Sequence, residues 1–354
     1  MDAEDYQQIE ETDMSHWQNL TIEERQVILN NVARVENLPP AAIEKDWWVT
    51  SVLNAVFRTD AASSMLFKGG TSLSKAWHII ERLSEDVDLA IDHSFFGVNS
   101  TNKNQRDKLR KLSRKYIMET LAEQLDRNLS GMGISGYTIE RVTSTDSGTP
   151  IDSDKDPTVI LVNYESVCND RVGYILPRVK VEISCLSMSE PSEEMPIESL
   201  ISKSYLAEDS STSCRVKTVL PSRTFLEKAF LLNEEFQKEK PRSLRMSRHL
   251  YDMYLLKDTG FGREALTDTD LYETIVKHRS LYYVDKRVDY NRHHPSLINF
   301  CPPDKVIDAW KSDYANMLES FIYGKAPSFD ELMESMKSLL DDFRRVKVKD
   351  NILE

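Results

Sequence analysis

The sequence predicts an α+β protein, with a small mixed sheet flanked by helices and a helical C-terminal domain. Short runs with strand-like alternation, such as residues 86–92 and 177–184, lie in the first two thirds of the chain. In the last third, apolar residues recur at the spacing of amphipathic helices. The length of 354 residues allows several domains. We expect an N-terminal helical segment over 1–60, a sheet-containing core over 61–215 and a helical domain over 216–354.

The composition is typical of a globular protein, with 40% hydrophobic and 29% charged residues. No apolar run approaches the roughly 20 residues of a membrane span. The acidic N-terminus lacks a signal-peptide pattern. The four cysteines lack metal-site spacing, which argues against a zinc site or a disulfide framework. We therefore expect a cytoplasmic protein with free thiols and no membrane association.

The formal net charge of −13 restricts the expected partners. Nonspecific binding to nucleic acid depends on an excess of Lys and Arg, which this chain lacks. An acidic exterior remains compatible with a local basic cleft, and such a cleft would favour a defined RNA over bulk duplex.

The first 60 residues predict two helices. The run 21–24 has the spacing of a capping box and starts a helix that continues to the prolines at 39–40. The prolines end it, and a largely apolar helix is expected over 41–58. Their chemistry alone favours Lys45 and Asp46 as an exposed ion pair on this second helix.

Residues 66–92 predict a strand end, a glycine turn, a helix and a second strand. Gly69 and Gly70 allow a positive φ or a close approach to a ligand. Thr71 or Ser72 is expected to cap the helix, and the turn that opens it is a ready anion site. The helix is predicted to turn one apolar stripe toward the core, formed by Leu73, Ala76, Trp77 and Ile80.

The second strand of this stretch places carboxylates on one face. Its apolar face is formed by Val87, Leu89 and Ile91, and its other face by Asp86, Asp88 and Asp92. Two carboxylates about 4 Å apart at an effective dielectric of about 20 repel by about 4 kcal/mol. A divalent cation with hard oxygen ligands, such as Mg²⁺, removes that repulsion. Either the turn or the pair alone is usually structural, but together they indicate metal-assisted nucleotidyl transfer.

Two more strands are predicted over 158–164 and 177–184, as antiparallel neighbours. The second places Glu182 on the same face as Arg178 and Lys180. One interpretation of Glu182 is one half of a surface cross-strand pair with a basic neighbour, and a functional carboxylate is the equally weighted alternative.

The C-terminal part predicts polar residues on two helices. The first helix, capped by Ser222 or Thr224, carries Lys228 on the flank of a core stripe formed by Phe225, Ala229 and Leu232. The second carries Arg245, Arg248, His249 and Asp252 on one face. Without further information, such a face is usually solvated. His293 and His294 are interpreted as loop residues.

Two groups of motifs resemble the AbiEii/AbiGii-type nucleotidyltransferase toxins, a family that includes the MenT toxins and belongs to the polymerase-β-like superfamily. The first is Lys68-Gly69-Gly70-Thr71-Ser72-Leu73 followed by Ser84-Glu85-Asp86-Val87-Asp88-Leu89. The second is Thr224-Phe225-x-Glu227-Lys228 followed by Arg248-His249-x-Tyr251-Asp252. Leu83 stands where Phe is more usual in the family, which is a packing change. The resemblance covers about residues 40 to 345.

The resemblance implies a nucleotidyltransferase-type sheet and an enzyme that uses an NTP with two Mg²⁺ ions. Asp86 and Asp88 would be catalytic metal ligands, and Glu182 a third carboxylate that acts as ligand or base. Lys228 would neutralise the triphosphate, and Asp252 would orient Lys228 or the attacking hydroxyl. The implied nucleotide-binding residues are Lys68, Gly69, Gly70, Thr71, Ser72, Ser84 and Arg248, and Arg245 is a further candidate for phosphate. A Glu-Lys-Asp-aromatic run is also usual in the family, which would place Lys45 or Asp46 near the nucleotide.

By the same resemblance, the acceptor would be RNA, such as the 3′ end of tRNA, and the outcome growth arrest or phage defence. A cognate antitoxin often accompanies such toxins. Two alternatives remain open: transfer to a protein or small molecule, and a catalytically silent nucleotide-binding scaffold in a defence complex. No motif specifies which NTP is used.

Overall fold

The computed structural model describes residues 17–84, 86–98, 102–168, 175–204 and 213–353. The chain divides into two compact units. The first lies within residues 1–67, 85–187 and 194–217, and the second within 68–84, 188–193 and 218–354. The α+β fold class is confirmed, because a mixed sheet is flanked by helices.

The first unit begins with two helices, α1 (Ile22–Glu36) and α2 (Pro40–Val56), as predicted. The capping box of α1 is present: the Glu24 amide donates to the Thr21 hydroxyl, and the Glu24 carboxylate accepts from the Thr21 amide. α2 is buried on nearly all sides and packs against two strands of the sheet, β2 and β5.

The described strands form a seven-stranded sheet in the order β3-β4-β5-β2-β1-β7-β6. The strands are β1 (Met65–Lys68), β2 (Asp86–Ile91), β3 (Tyr137–Arg141), β4 (Thr158–Tyr164), β5 (Arg178–Ser184), β6 (Ser192–Ile197) and β7 (Cys214–Val219). β4 and β5 are antiparallel neighbours, as the sequence predicts, whereas β2 and β5 are parallel. β6 was not predicted, because its run Ser-Glu-Glu-Met-Pro-Ile has little β-branched or aromatic content.

The remaining helices of the first unit are α4 (Lys103–Tyr116), α5 (Ala122–Gly131) and the short α6 (Leu200–Ser204). A five-residue π turn, Ile117–Leu121, joins α4 to α5, so this charged segment is nearly continuous helix.

The second unit contains the short α3 (Gly69–Lys75) and a helical array. The array consists of α7 (Pro221–Phe236), α8 (Ser247–Leu256), α9 (Gly260–Ala265), α10 (Thr269–Tyr282), α11 (Ile307–Ser320) and α12 (Phe329–Phe343). Its core includes the predicted α7 stripe of Phe225, Ala229 and Leu232, together with Met336 and Leu339 of α12. Among the described residues, no helix is long and apolar enough to cross a membrane.

Three local predictions at helix ends are wrong. α3 ends at Lys75 and does not reach Ile80, and His78 adopts a left-handed backbone conformation with φ of 52°. The N-cap of α3 is Lys68, so Thr71 and Ser72 lie inside the helix and do not cap it. α7 likewise starts at Pro221 with Leu220 as its N-cap, because proline is well suited to the first helical position.

The prediction that Lys45 and Asp46 form an exposed ion pair is also wrong. Lys45 is only 2% exposed and donates to the carbonyl of Leu176. Asp46 accepts from the amide of Leu200, so these residues are not an exposed ion pair. His293 is fully buried, with Nε2 3.0 Å from Glu234 Oε1 and Nδ1 3.0 Å from Asn233 Nδ2.

Candidate active site

The strand β2 presents its two aspartates as the alternation predicts. Val87, Leu89 and Ile91 are fully buried, whereas Asp86 and Asp88 on the other face are half-buried. Asp92 follows the strand and accepts from the Ser94 amide, so it caps a short 3₁₀ helix.

The neighbouring strand β5 brings two charged residues beside the aspartates. The parallel register pairs Asp86 with Lys180 and Asp88 with Glu182. Lys180 Nζ lies 2.6 Å from Glu182 Oε1, and both side chains are partly exposed. Glu182 is therefore next to the Asp88 position, and it pairs with Lys180 of its own strand, two residues away, and not with a cross-strand neighbour.

The chemistry of these side chains fits Mg²⁺ in part. Carboxylate oxygens are hard ligands, and Asp86 and Asp88 project from one strand face. However, the described part of the chain contains no group of three His, Cys, Asp or Glu side chains placed to hold a metal ion. The aspartates are thus suitable ligands, and the participation of Glu182 stays a prediction.

A second charged cluster lies within the second unit, around Asp252 on α8. The Asp252 carboxylate accepts from Arg82 through both oxygens, at 2.7 Å from Nε and 2.8 Å from Nη2. Lys228 Nζ on α7 lies 2.8 Å from Asp252 Oδ2. Asp252 is completely buried, and Arg82 and Lys228 are nearly so. One buried carboxylate therefore holds two cations.

The close packing of these charged groups shifts the pKa values of Asp252, Lys228 and His249. Burial alone would raise the pKa of the Asp252 carboxyl, but Arg82 and Lys228 hold that pKa well below its usual range. Burial lowers the pKa of Lys228, and Arg82 lowers it further, while Asp252 opposes the shift. Burial and the nearby Lys228 and Arg248 lower the pKa of His249 well below its ordinary value.

Arg82 is held in place by its own backbone segment. Leu83 N donates to Phe321 O at 2.7 Å, and the amides of Tyr323 and Gly324 donate to Glu81 O. Arg82 and Ile322 form an antiparallel β-bridge. A side chain at position 324 would not fit, because its Cβ would lie 1.7 Å from Glu81 Oε2. The segment between α11 and α12 thus fixes the residues that precede Ser84.

The glycine turn packs directly against Arg82. Gly69 has a φ of 81°, which confirms the predicted positive φ. A Cβ at Gly70 would lie 2.5 Å from Arg82 Nη2 and 3.2 Å from Ser84 Oγ, so the predicted close approach is to this arginine. Thr71 Oγ1 lies 2.7 Å from Ser84 Oγ. The turn and the residues before β2 are therefore joined by side-chain contacts.

Of the four residues predicted to share a helix face, three belong to α8 and Arg245 lies outside it. Asp252 and His249 belong to α8, as does the half-buried Arg248. Arg245 precedes the helix with a φ of 58°, and its amide donates to Asp313. Arg245 is exposed, and its guanidinium lies 5.4 Å from the Phe321 ring centre.

Sequence reasoning assigned no role to Arg82. A usable signal was present: the arginine lies among apolar residues, Ile79, Ile80 and Leu83. A charge in such surroundings becomes buried only with an acidic partner. That partner, Asp252, is 170 residues further along the chain, so its identity did not follow from local pattern.

Comparisons with known proteins agree with these features. A family model described as "Nucleotidyl transferase AbiEii toxin, Type IV TA system" matches residues 51–335. Among solved structures, the nucleotidyltransferase toxin MenT4 of Mycobacterium tuberculosis H37Rv is similar in fold, with a TM-score of 0.52 and 15% sequence identity over 90% of each chain. A search of curated proteins found no match. Because the family model spans most of the sequence, the chain belongs to the AbiEii family of nucleotidyltransferase toxins from type IV toxin–antitoxin systems.

Proposed function

We propose that this nucleotidyltransferase uses Mg²⁺ to transfer a nucleotide from an NTP to a hydroxyl of an RNA acceptor, such as the 3′ end of tRNA. The observation that carries the proposal is the pair of half-buried aspartates on one face of β2, Asp86 and Asp88. Two carboxylates on one face suit a metal-dependent transfer, in which the protein mainly positions groups and neutralises charge.

Asp86 and Asp88 are assigned as the metal ligands, with Glu182 as the candidate third carboxylate. When bound, Mg²⁺ would offset triphosphate charge and lower the pKa of the acceptor hydroxyl. Glu182 has a second candidate role, as the base that takes the proton of that hydroxyl. Its position opposite Asp88 in the strand register supports either assignment.

Lys228 is assigned to the phosphates of the NTP. An ammonium group has three N–H donors, and Asp252 accepts one of them at 2.8 Å. Asp252 thereby restricts the position of Lys228, which supports a positioning role for this carboxylate. A fixed cation binds phosphate with a smaller entropic cost than a flexible one.

The nucleotide itself is assigned to the glycine turn and its neighbours: Lys68, Gly69, Gly70, Thr71, Ser72, Ser84 and Arg248. Two observations support this assignment. Gly69 adopts the positive φ that opens the turn, and the Thr71–Ser84 contact fixes two hydroxyl groups beside it. We further propose that a cognate antitoxin binds the protein, as expected for a toxin–antitoxin system. The toxin itself is proposed to act in the cytoplasm in defence against phage.

The test is transfer of label from each α-³²P-NTP, with and without Mg²⁺, to total tRNA and to protein. We expect Mg²⁺-dependent labelling of RNA by the wild type and at least a 100-fold loss in Asp88→Asn. Asp152→Asn is the matched control, because it makes the same change at an exposed loop position of the same unit.

The other outcomes separate the alternatives. Label on protein alone would replace RNA with a protein acceptor. Binding of NTP without any transfer would indicate a silent nucleotide-binding scaffold. Equal loss in both variants would show that the assay reports protein quality and not the role of Asp88.

A further inference from the structure

The helix α4 has a charge opposite to that of the whole protein. Seven of its fourteen residues are Lys or Arg, and Asp107 is its one acidic residue. The complete chain carries a net charge of −13. Cationic charge is thus concentrated on one helix of an otherwise acidic molecule, and the proposed function assigns no role to it.

Five of the seven basic residues of α4 fall into two groups. Arg110 lies 3.1 Å from Asp107 of the same helix, and the buried Arg114 donates to the carbonyl of Val142, which connects α4 to the residue after β3. Lys108, Lys111 and Lys115 are exposed and follow one another at i, i+3 and i+7. This spacing places the three lysines on one helix face, over about 10 Å. Lys115 has only a distant contact, 3.9 Å, to the exposed Glu119.

Three aromatic rings lie at the C-terminal end of this helix. Phe95 and Phe96 belong to the 3₁₀ helix that follows β2, and Tyr116 is the last residue of α4. Their ring centres are 4.9 to 5.9 Å apart. All three side chains are only half-buried. Exposed aromatic surface beside a row of lysines is the combination that binds single-stranded nucleic acid, because bases stack on rings and phosphates pair with cations.

The position of this surface relative to the aspartates follows from β2. Asp88 and Asp92 are four residues apart on or directly after the strand, which corresponds to about 13 Å at the rise of a strand. Phe95 and Phe96 follow Asp92 by three and four residues, and the Asp92 cap fixes the start of their 3₁₀ helix. One continuous strand therefore connects the aromatic cluster to the carboxylate pair.

We propose that Lys108, Lys111 and Lys115, with Phe95 and Phe96, form a binding surface for the single-stranded end of the RNA acceptor. The lysines contact successive phosphates, and the phenylalanines stack on bases. This inference rests on the proposed RNA acceptor and adds the surface that holds it. Charge complementarity favours RNA as the occupant, since a stacked strand presents about one phosphate per 3.4 Å along the 10 Å row.

The test measures binding of a fluorescent 12-nucleotide single-stranded RNA by anisotropy, without NTP, from 50 to 200 mM salt. The variant is Lys108→Gln/Lys111→Gln/Lys115→Gln. Its control is Lys311→Gln/Lys337→Gln/Lys347→Gln, which removes three exposed lysines from the second unit. We expect at least a tenfold loss of affinity at 50 mM salt in the first variant alone. The slope of log K against log salt should fall by about 2, since each phosphate contact on a single strand contributes about 0.7.

A second variant separates stacking from charge. Phe95→Leu/Phe96→Leu should weaken binding about tenfold while the salt slope stays unchanged. The melting temperature of each variant is compared with that of the wild type. If the lysine variant has lower affinity with an unchanged melting temperature, the loss arises at the surface and not from misfolding.

The proposal is overturned if the affinity of the lysine variant for RNA is within twofold of that of the wild type. It is also overturned if the control variant loses as much RNA affinity as the lysine variant. Normal RNA binding with loss of neutralisation by the antitoxin would assign the surface to an acidic protein partner instead. Because binding is measured without NTP, absence of nucleotide transfer would contradict the proposed function and leave this result interpretable. Where transfer is observed, the lysine variant should show a raised KM for RNA and an unchanged kcat.

Discussion

Asp88 and Asp252 are carboxylates of the two units with opposite surroundings. Asp88 is half-buried on a strand face, one pleat from a second aspartate. Asp252 is completely buried and pairs with two cations. The first arrangement concentrates negative charge on an accessible face, whereas the second neutralises it within the protein.

The comparison separates two ways in which a carboxylate contributes to an enzyme. Two neighbouring carboxylates on β2 repel each other, and a bound divalent cation would offset that repulsion. Asp252 needs no external cation, because Arg82 and Lys228 satisfy it, but the two cations depend on it in return. Loss of Asp252 is therefore expected to affect folding first, and loss of Asp88 to affect activity first.

The largest expected effect is that of Asp252→Asn on stability. The change leaves Arg82 and Lys228 buried without a compensating charge, so we expect a loss of about 3 to 5 kcal/mol in the free energy of unfolding. Asp88→Asn, on a half-buried strand face, should change that free energy by no more than about 1 kcal/mol. Urea titration followed by circular dichroism measures both.

A small effect of Asp252→Asn on the free energy of unfolding would contradict the proposed difference between Asp252 and Asp88. It would mean that the two cations find other compensation when the carboxylate is removed. Lys228→Met/Asp252→Asn tests the same point from the other side, because removal of one cation should restore part of the stability lost in Asp252→Asn.

The next effect concerns the close contact between Gly70 and Arg82. In Gly70→Ala the new Cβ must displace the Arg82 guanidinium, which is fixed by two hydrogen bonds to Asp252. We therefore expect a loss of about 1 to 3 kcal/mol in the free energy of unfolding. Gly260→Ala is the control: it is also in the first turn of a helix of the second unit, and its Cβ would meet nothing within 4 Å. Thermal unfolding of the two variants gives the comparison.

Equal melting temperatures for the two alanine variants would show that Arg82 moves without cost. Combining Gly70→Ala with Arg82→Gln sharpens the test. If the strain lies in this contact, the two changes together should cost less than the sum of their separate effects.

Much of the fold followed from the sequence because local patterns specify it. The alternation in β2 sets which residues are buried, and the capping boxes at Thr21 and Ser328 set the starts of α1 and α12. These features need only neighbours within a few residues. The family resemblance supplied the order of the motifs and the class of enzyme, which local patterns alone do not define.

The wrong predictions for the end of α3 and for the exposure of Lys45 have a common physical cause, which is tertiary contact. α3 was expected to continue to Ile80, but the chain turns at His78 and the following segment pairs with residues near 322. Lys45 was expected to be exposed because Lys usually is, yet α2 is buried on nearly all sides. The partners that decide these cases lie more than 100 residues away, such as Leu176 for Lys45.

The candidate site divides in the same way. Asp86 and Asp88 were identified with their correct orientation, since strand period alone determines it. The contact between Lys228 and Asp252 was anticipated from the resemblance, and the structure adds Arg82 as the second cation on that carboxylate. No short-range pattern connects Arg82 with a residue on α8, which explains why it was missed.

The smallest expected effect on stability comes from substitutions of Glu182 and Lys180. The same substitutions give the clearest test of whether Glu182 is the third carboxylate. Their ion pair is partly exposed, so Glu182→Gln and Lys180→Gln should each change the free energy of unfolding by no more than about 1 kcal/mol. If Glu182 is the third carboxylate, Glu182→Gln should lose about 100-fold or more in nucleotide transfer while Lys180→Gln loses much less. Equal and small losses would leave Glu182 as one half of a surface pair. The strand face would then act through Asp86 and Asp88 alone, as the accessible counterpart of the buried Asp252 cluster.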